Sequence, residues 1–254
     1  MKKVLFAGLF LAISLTAAAQ YQRTVFFDME RSDVEEFESK MENYWQGVNE
    51  HLVKNNDDVI NALMFSRVGV ADDNLGKYCM VLNVENPEFF DRNAWKESME
   101  AALSIPVEHA TIFNGTSVKI TLVTMGKFES WWSNGESNYI VVNSARPKNL
   151  EAFITENKES FGPYFEKASK KGKDSRTSWG LVSSILPANQ DHYTCLTYDG
   201  FATYSDALEM LSYRDIADAP KDLMEIWNGS TMAENMPNGF QKTIVWKKMW
   251  EARK

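Results

Sequence analysis

A short segment of the chain occurs twice, and the repeat extends well beyond it. Residues 112–116 (IFNGT) return 114 residues later as 226–230 (IWNGS). Residues 79–80 return at 195–196, a shift of 116, and residues 121–123 return at 243–245, a shift of 122. Each match is short, but all of them keep the same order along the chain. The sequence therefore predicts one structural unit that is repeated in tandem, with a longer loop in the second copy.

The two copies predict the same order of elements. A β-branched and aromatic strand at 24–29 precedes a helix whose apolar residues keep three- and four-residue spacing. A hairpin, a second helix and a last strand follow, and the second copy repeats this order. The predicted ranges are 59–68, 77–84, 87–104 and 117–125 in the first copy and 177–186, 192–199, 204–216 and 241–249 in the second. This order, β-α-β-β-α-β, is that of the ferredoxin-like unit.

Two such units in tandem resemble the dimeric α+β barrel superfamily in its fused form. The resemblance implies an α+β fold in which two tandem ferredoxin-like units, residues 20–130 and 131–254, form an intramolecular barrel with a cavity between their sheets. Members of the superfamily include cofactor-free oxygenases, haem-binding peroxidase-like and chlorite-dismutating enzymes, degradative isomerases and proteins without known activity. The resemblance covers nearly the whole chain, but it transfers no catalytic residue.

Residues 1–19 have the pattern of a bacterial signal peptide. Lys2 and Lys3 precede an apolar run at 4–15, and three alanines at 17–19 provide the small residues before a cleavage site. The apolar run is shorter than the roughly 20 residues that span a bilayer. We therefore expect a periplasmic or secreted protein of a Gram-negative-type bacterium, with no membrane insertion after cleavage.

Charge and composition exclude several classes of function. Removal of Lys2 and Lys3 takes the formal net charge from -8 to -10, which disfavours binding to nucleic acid. Cys79 and Cys195 lie within predicted strands, where small buried hydrophobes are expected, although one disulfide between them is possible. The three histidines lie apart, at positions 51, 109 and 192, so we expect no metal site. Hydrolase elbows and phosphate-binding loops are absent from the sequence.

Strand alternation predicts where a ligand site would lie. In the first strand of each copy it turns Phe26 and Asp28, and Tyr139, Val141 and Asn143, toward the space between the sheets. Neighbouring strands would add polar and aromatic side chains near Asp28 and Asn143, giving two related clusters. The candidate ligand-binding residues are Asp28, Tyr78, Asn143, His192, Tyr193 and Trp179.

The sequence contains no recognisable catalytic constellation. We therefore predict a non-catalytic binding or interaction protein that holds a small apolar or aromatic ligand and no cofactor. The alternative is a barrel enzyme, either cofactor-free and oxygenase-like or haem-binding, that uses His192 or His51 as haem ligand or general base. A structural envelope component is a third possibility. A fused pair already makes the contact that separate chains make by dimerising, which is compatible with a monomer.

Overall fold

The fold is built around a closed barrel of eight antiparallel strands. The computed structural model describes residues 20–69, 75–91, 93–104, 106, 117–189, 192–212, 215 and 218–254. Around the barrel the strands follow the order β1-β3-β2-β8-β5-β7-β6-β4. The strands are β1 (Tyr21–Asp28), β2 (Val59–Arg67), β3 (Tyr78–Val84), β4 (Lys119–Ser133), β5 (Tyr139–Ala145), β6 (Arg176–Leu186), β7 (Cys195–Phe201) and β8 (Lys242–Arg253).

Helices pack against the outside of this barrel. The long first helix of each half is interrupted by a π-helical turn, at Met41–Trp45 and at Asn157–Phe161. These two turns are 116 residues apart, the same shift that relates several sequence matches. The α-helices are α1 (Val34–Lys40), α2 (Gln46–Asn55), α3 (Ala94–Leu103), α4 (Leu150–Glu156), α5 (Gly162–Lys170), α6 (Tyr204–Leu211), α7 (Lys221–Gly229) and α8 (Met232–Asn235).

The strands bury apolar side chains on both of their faces. Outside the barrel, Phe37, Val48 and Leu52 of the first long helix are almost fully buried against the strands of the first half. Inside the barrel, a separate cluster joins side chains from both halves, including Phe26 and Trp246, whose ring centroids are 5.9 Å apart. The inner cluster therefore connects the two halves through apolar contact as well as through strand pairing.

The structure confirms an α+β fold and changes the lengths of several predicted elements. The predicted last strands, 117–125 and 241–249, continue to Ser133 and Arg253. Their extensions pair with β6 and β2 of the opposite half, and these two seams close the barrel. The predicted helix at 204–216 ends at Leu211. The predicted signal peptide and the first copy of the repeated turn, 112–116, lie outside the described residues.

Two helical glycines differ in the space beside them, which leads to a prediction. A Cβ added at Gly162 would lie 2.6 Å from the indole of Trp179, whereas one added at Gly47 would meet nothing within 4 Å. We expect Gly162→Ala to lower the free energy of unfolding by about 1–3 kcal/mol through overpacking. We expect Gly47→Ala to raise it by up to about 1 kcal/mol through helix propensity. Urea unfolding of both variants checks this; equal effects would contradict the packing argument.

Candidate functional site

The barrel interior contains a pocket of about 280 Å³. Its wall is mostly apolar and receives side chains from strands of both halves. The apolar part of the wall includes Phe26, Leu63, Phe65, Val81, Ile140, Val142, Leu196, Ile244 and Trp246. A concave apolar cavity with a few polar groups is the usual form of a small-molecule site.

The polar groups gather at one end of the pocket. Strand pairing places Gln22 opposite Asn83, and Asn61 opposite both Asn83 and Arg253. The amide of Asn83 donates to the Asn61 side-chain oxygen at 2.7 Å, and Gln22 donates to Asn83 at 3.4 Å. Lys248, Glu251 and Glu136 line the pocket as well. The pocket therefore combines an apolar body with a polar end.

Two tyrosines bring phenol groups to the apolar body. Tyr198 lies on the strand next to Gly180, and its ring covers this glycine. A Cβ added at Gly180 would lie 2.5 Å from the tyrosine hydroxyl. Burial raises the pKa of Tyr198, so its phenol remains protonated and can donate a hydrogen bond. Burial also raises the pKa of Tyr193, and a side-chain hydrogen bond with Thr124 opposes this shift.

Both cysteines are buried as free thiols. Cys79 lies in the pocket wall, and burial raises its pKa. Burial raises the pKa of Cys195 to about 12, despite a side-chain hydrogen bond with Thr194 that lowers it. Thiols held in the protonated form are poor nucleophiles and poor metal ligands. Their role in the structure is packing.

The structure places Asp28 and Tyr78 outside the pocket. Asp28 lies at the end of β1, where its carboxylate accepts from the Met29 N–H at 2.9 Å and lies 3.6 Å from the Lys77 ammonium. Tyr78 points outward to the first helix and donates a 2.6 Å hydrogen bond to Glu38. The two residues lie on paired strands, but they do not share one cluster.

Asn143 belongs to a buried polar cluster on the outer side of the barrel. Its amide donates to Asp199 at 3.1 Å and its oxygen accepts from Thr243 at 2.8 Å. Asp199 also accepts from Arg176 at 2.5 Å, and Asp174 holds the other side of this guanidinium. Burial would lower the pKa of Arg176, but the two carboxylates more than offset this and raise it. Sequence reasoning missed this cluster because its acids lie far apart along the chain.

Of the other candidates, Tyr193 lines the pocket and Trp179 does not. Trp179 is 1% exposed and packs against the helices outside the barrel. His192 lies beside Tyr193, with ring centroids 4.0 Å apart, and burial together with the charge of Arg146 lowers its pKa. The prediction that these six residues bind a ligand stays a prediction.

The predicted strand facing is correct for Phe26 in β1, whereas Asp28 at the end of that strand lies outside the pocket, and it is wrong in β5. Phe26 lies in the pocket wall as expected. In β5, however, Ile140 and Val142 line the pocket, and Val141 and Asn143 face outward. Alternation fails here because both faces of the strand are covered, so apolar residues occur at successive positions. A shift of one residue then reverses every side chain.

A second apolar cavity, of about 430 Å³, lies between β1, β3 and the helices of the first half. Aromatic and methionine side chains make most of its wall, among them Trp45, Phe90 and Met99. It adjoins Ile120, near a stretch that the structure describes only in part. We assign the candidate site to the barrel interior, because its wall receives side chains from both halves and has polar groups at one end.

Within the described ranges, no group of His, Cys, Asp and Glu side chains is arranged to hold a metal ion. In the same part of the chain, no helix combines the length and the apolar character that a membrane crossing needs.

Solved structures of low sequence identity share this fold along nearly their whole length. One is an anthrone oxidase-like protein, 8% identical with a TM-score of 0.57, and 94% of each chain is covered. Another, from Fusobacterium nucleatum, is assigned as a monooxygenase; it is 10% identical with a TM-score of 0.57, covering 94% of this chain and 96% of that one. A third, assigned as a chlorite dismutase, is 7% identical with a TM-score of 0.50, covering 92% and 96%.

No protein-family model matches the sequence, and comparison with curated proteins gives no match. The likeness to these structures agrees with the dimeric α+β barrel fold that the element order predicted, and at these identities it shows the fold alone.

These comparisons contradict two predictions made from the sequence. The chain was expected to be a non-catalytic binding protein, but the proteins that share its fold are named as oxygenases, an oxidase and a dismutase. The expectation of no cofactor is wrong for the same reason, because chlorite-dismutating barrels are among the haem-binding members of the superfamily. Both predictions relied on the absence of motifs, yet a barrel assembles its polar groups from separate strands.

The described pocket residues do not fit a histidine-ligated haem. His51 and His192 are not among the residues that line the pocket, and His109 lies outside the described part of the chain. Cys79 and the two tyrosines are the pocket side chains of the thiol and phenol types that ligate haem iron, and burial holds all three protonated. A bound metal needs the deprotonated forms of such ligands.

Proposed function

We propose that the protein is an oxygenase-type enzyme that oxidises a small, flat aromatic substrate inside the barrel. The observation that carries the proposal is the apolar pocket of about 280 Å³, which is enclosed by strands of both halves and contains a phenol donor. The anthrone oxidase-like and monooxygenase names of proteins with this fold support the same reaction class.

The proposal includes the organisation of the chain and its partners. The two halves are taken as tandem ferredoxin-like units, 20–130 and 131–254, and their two π-helical turns support a common origin. Export through the segment 1–19 would place the enzyme in the periplasm or outside the cell. The expected partner is an apolar or aromatic small molecule, and a monomer has both halves of the pocket.

In the proposed reaction, a methylene carbon that is linked to a carbonyl through fused aromatic rings is oxidised by dioxygen. The carbon loses two hydrogens and gains one oxygen atom as a new carbonyl, while the second oxygen atom leaves as water. All electrons come from the substrate and all are accepted by dioxygen, so the balance requires no further reductant. Anthrone is a substrate of this class.

Each part of the pocket has a role in this reaction. The aromatic side chains of Phe26, Phe65 and Trp246 hold the substrate ring by apolar and ring contacts. The protonated phenol of Tyr198 donates a hydrogen bond to the substrate oxygen, where negative charge develops as the methylene loses its proton. The apolar strand wall lowers the local dielectric around this hydrogen bond, which strengthens it.

Oxygen uptake with anthrone tests the proposal. We expect uptake above the rate of spontaneous oxidation and formation of anthraquinone with equal moles of substrate and oxygen consumed. Heat-denatured protein and buffer alone are the controls. A haemin titration of the same preparation is run in parallel. No uptake above the controls, with or without added haemin and with ligand bound in the pocket, would overturn the proposal.

A further inference from the structure

Lys248 is the most enclosed cation at the polar end of the pocket among the residues described there. Its side chain is 10% exposed, whereas that of Arg253 is 64% exposed. The Lys248 ammonium lies 3.2 Å from Glu251 and 3.3 Å from Glu136. A lysine that lines a cavity has few ways to satisfy three N–H donors, so its carboxylate partners decide what else can bind.

The two carboxylates hold Lys248 in different ways. Glu251 is 15% exposed and is shared with Arg253 at 3.2 Å, so it is fixed between two cations. Glu136 is 66% exposed and lies between β4 and β5, outside both strands. Ion pairs with such an exposed partner contribute about 0–1 kcal/mol. Another carboxylate can therefore replace Glu136 on Lys248 at small cost.

The cation occurs on one side of the barrel only. The sequence match of 121–123 with 243–245 aligns Lys248 with Gly126, which has no side chain. The space beside Gly126 is filled by Val182, since an added Cβ would lie 2.4 Å from its methyl group. The amides around the same end, Asn61 and Asn83, are bonded to each other and carry no charge.

We propose that the pocket takes an amphipathic ligand, with an aromatic body inside the barrel and a carboxylate that displaces Glu136 from Lys248. The inference rests on the proposed function, because it assumes that the pocket is the substrate site, and it names the substrate class more closely. The exchange leaves the charge balance of the polar end favourable, since Lys248 and Arg253 then face Glu251 and the ligand.

A matched pair of ligands tests the inference, using the full-length mature protein. The probes are 2-naphthoate and 2-naphthamide, which share shape but differ in charge, and quenching of pocket tryptophan fluorescence reports binding. We expect the wild-type protein to bind naphthoate about tenfold more tightly than naphthamide. Lys248→Met should remove this preference without weakening naphthamide binding. Lys248→Arg should retain it, which guards against a folding defect in the methionine variant.

The adjacent residue provides the control. Lys247 lies on the same strand and is exposed on the opposite face, so Lys247→Met should leave the preference unchanged. Glu136→Gln should preserve or increase the preference, because it removes the competing carboxylate. Equal binding of both ligands by the wild-type protein would overturn this inference and leave the proposed function intact. Failure of both ligands to bind would overturn this inference and the proposed function together.

Discussion

Asp199→Ala lowers the free energy of unfolding by about 3 kcal/mol, the largest loss of stability expected from one polar substitution in this chain. The carboxylate is 6% exposed and bonds Arg176 at 2.5 Å and Asn143 at 3.1 Å. Its removal leaves a buried guanidinium with Asp174 alone and leaves a buried amide donor without its acceptor. Urea unfolding of the variant and the wild-type protein measures the difference.

An exposed ion pair gives the matched control for this prediction. Glu166 lies four residues before Lys170 on α5, and the pair is 2.5 Å apart, with 37% and 61% of the side chains exposed. Glu166→Ala should cost no more than about 0.5 kcal/mol. A double variant, Asp199→Ala with Arg176→Met, should recover part of the loss because it removes the unpaired charge. Equal costs for Asp199→Ala and Glu166→Ala would show that burial does not set the strength of the cluster.

Val142→Trp abolishes ligand binding if the barrel interior is the substrate site. Val142 lines the pocket between Ile244 and Tyr198 on its paired strands, so an indole at this position would occupy the space intended for the substrate ring. We expect binding of 2-naphthamide to weaken more than tenfold and oxygen uptake with anthrone to fall to the control rate. The smaller Val142→Ala should retain binding, since it enlarges the pocket.

Leu208→Trp is the control for the added indole. Leu208 lies on α6, outside the barrel, and is 45% exposed, so this variant should bind ligand like the wild-type protein. Circular dichroism and urea unfolding show whether Val142→Trp is folded. A folded Val142→Trp protein with unchanged binding and unchanged oxygen uptake would locate the site elsewhere, and the proposed function would then lose its main observation.

The sequence was informative where local pattern determines structure. Repeat spacing and helical periodicity predicted the order of elements, and alternation placed Phe26 correctly in the inner wall. The extension of the last strands to Ser133 and Arg253 was not predictable in this way. Those residues form strands because they pair with distant strands of the other half, and the local sequence does not indicate such pairing.

The candidate site was less predictable than the fold. Asn143 and Trp179 were expected to face a ligand and instead pack outside the barrel. Strands that are covered on both faces do not alternate between apolar and polar residues, so the sequence does not indicate which face points inward. The sequence could have indicated Lys248 as a site residue. It lies on the same strand face as Ile244 and Trp246, and a charged residue on an otherwise apolar face is unusual. Tyr198 gave no comparable signal, since its phenol could have faced either side.

The difference between Lys248 and Gly126 has a stereochemical consequence. A barrel made from two identical chains presents every wall residue twice, related by a two-fold axis, so a ligand can enter in either of two equivalent orientations. The fused chain presents one ammonium and one bare glycine at the corresponding positions. A substrate anchored at the ammonium would present the same one of its two methylene hydrogens to the same wall in every turnover, so one of the two prochiral hydrogens would be removed selectively.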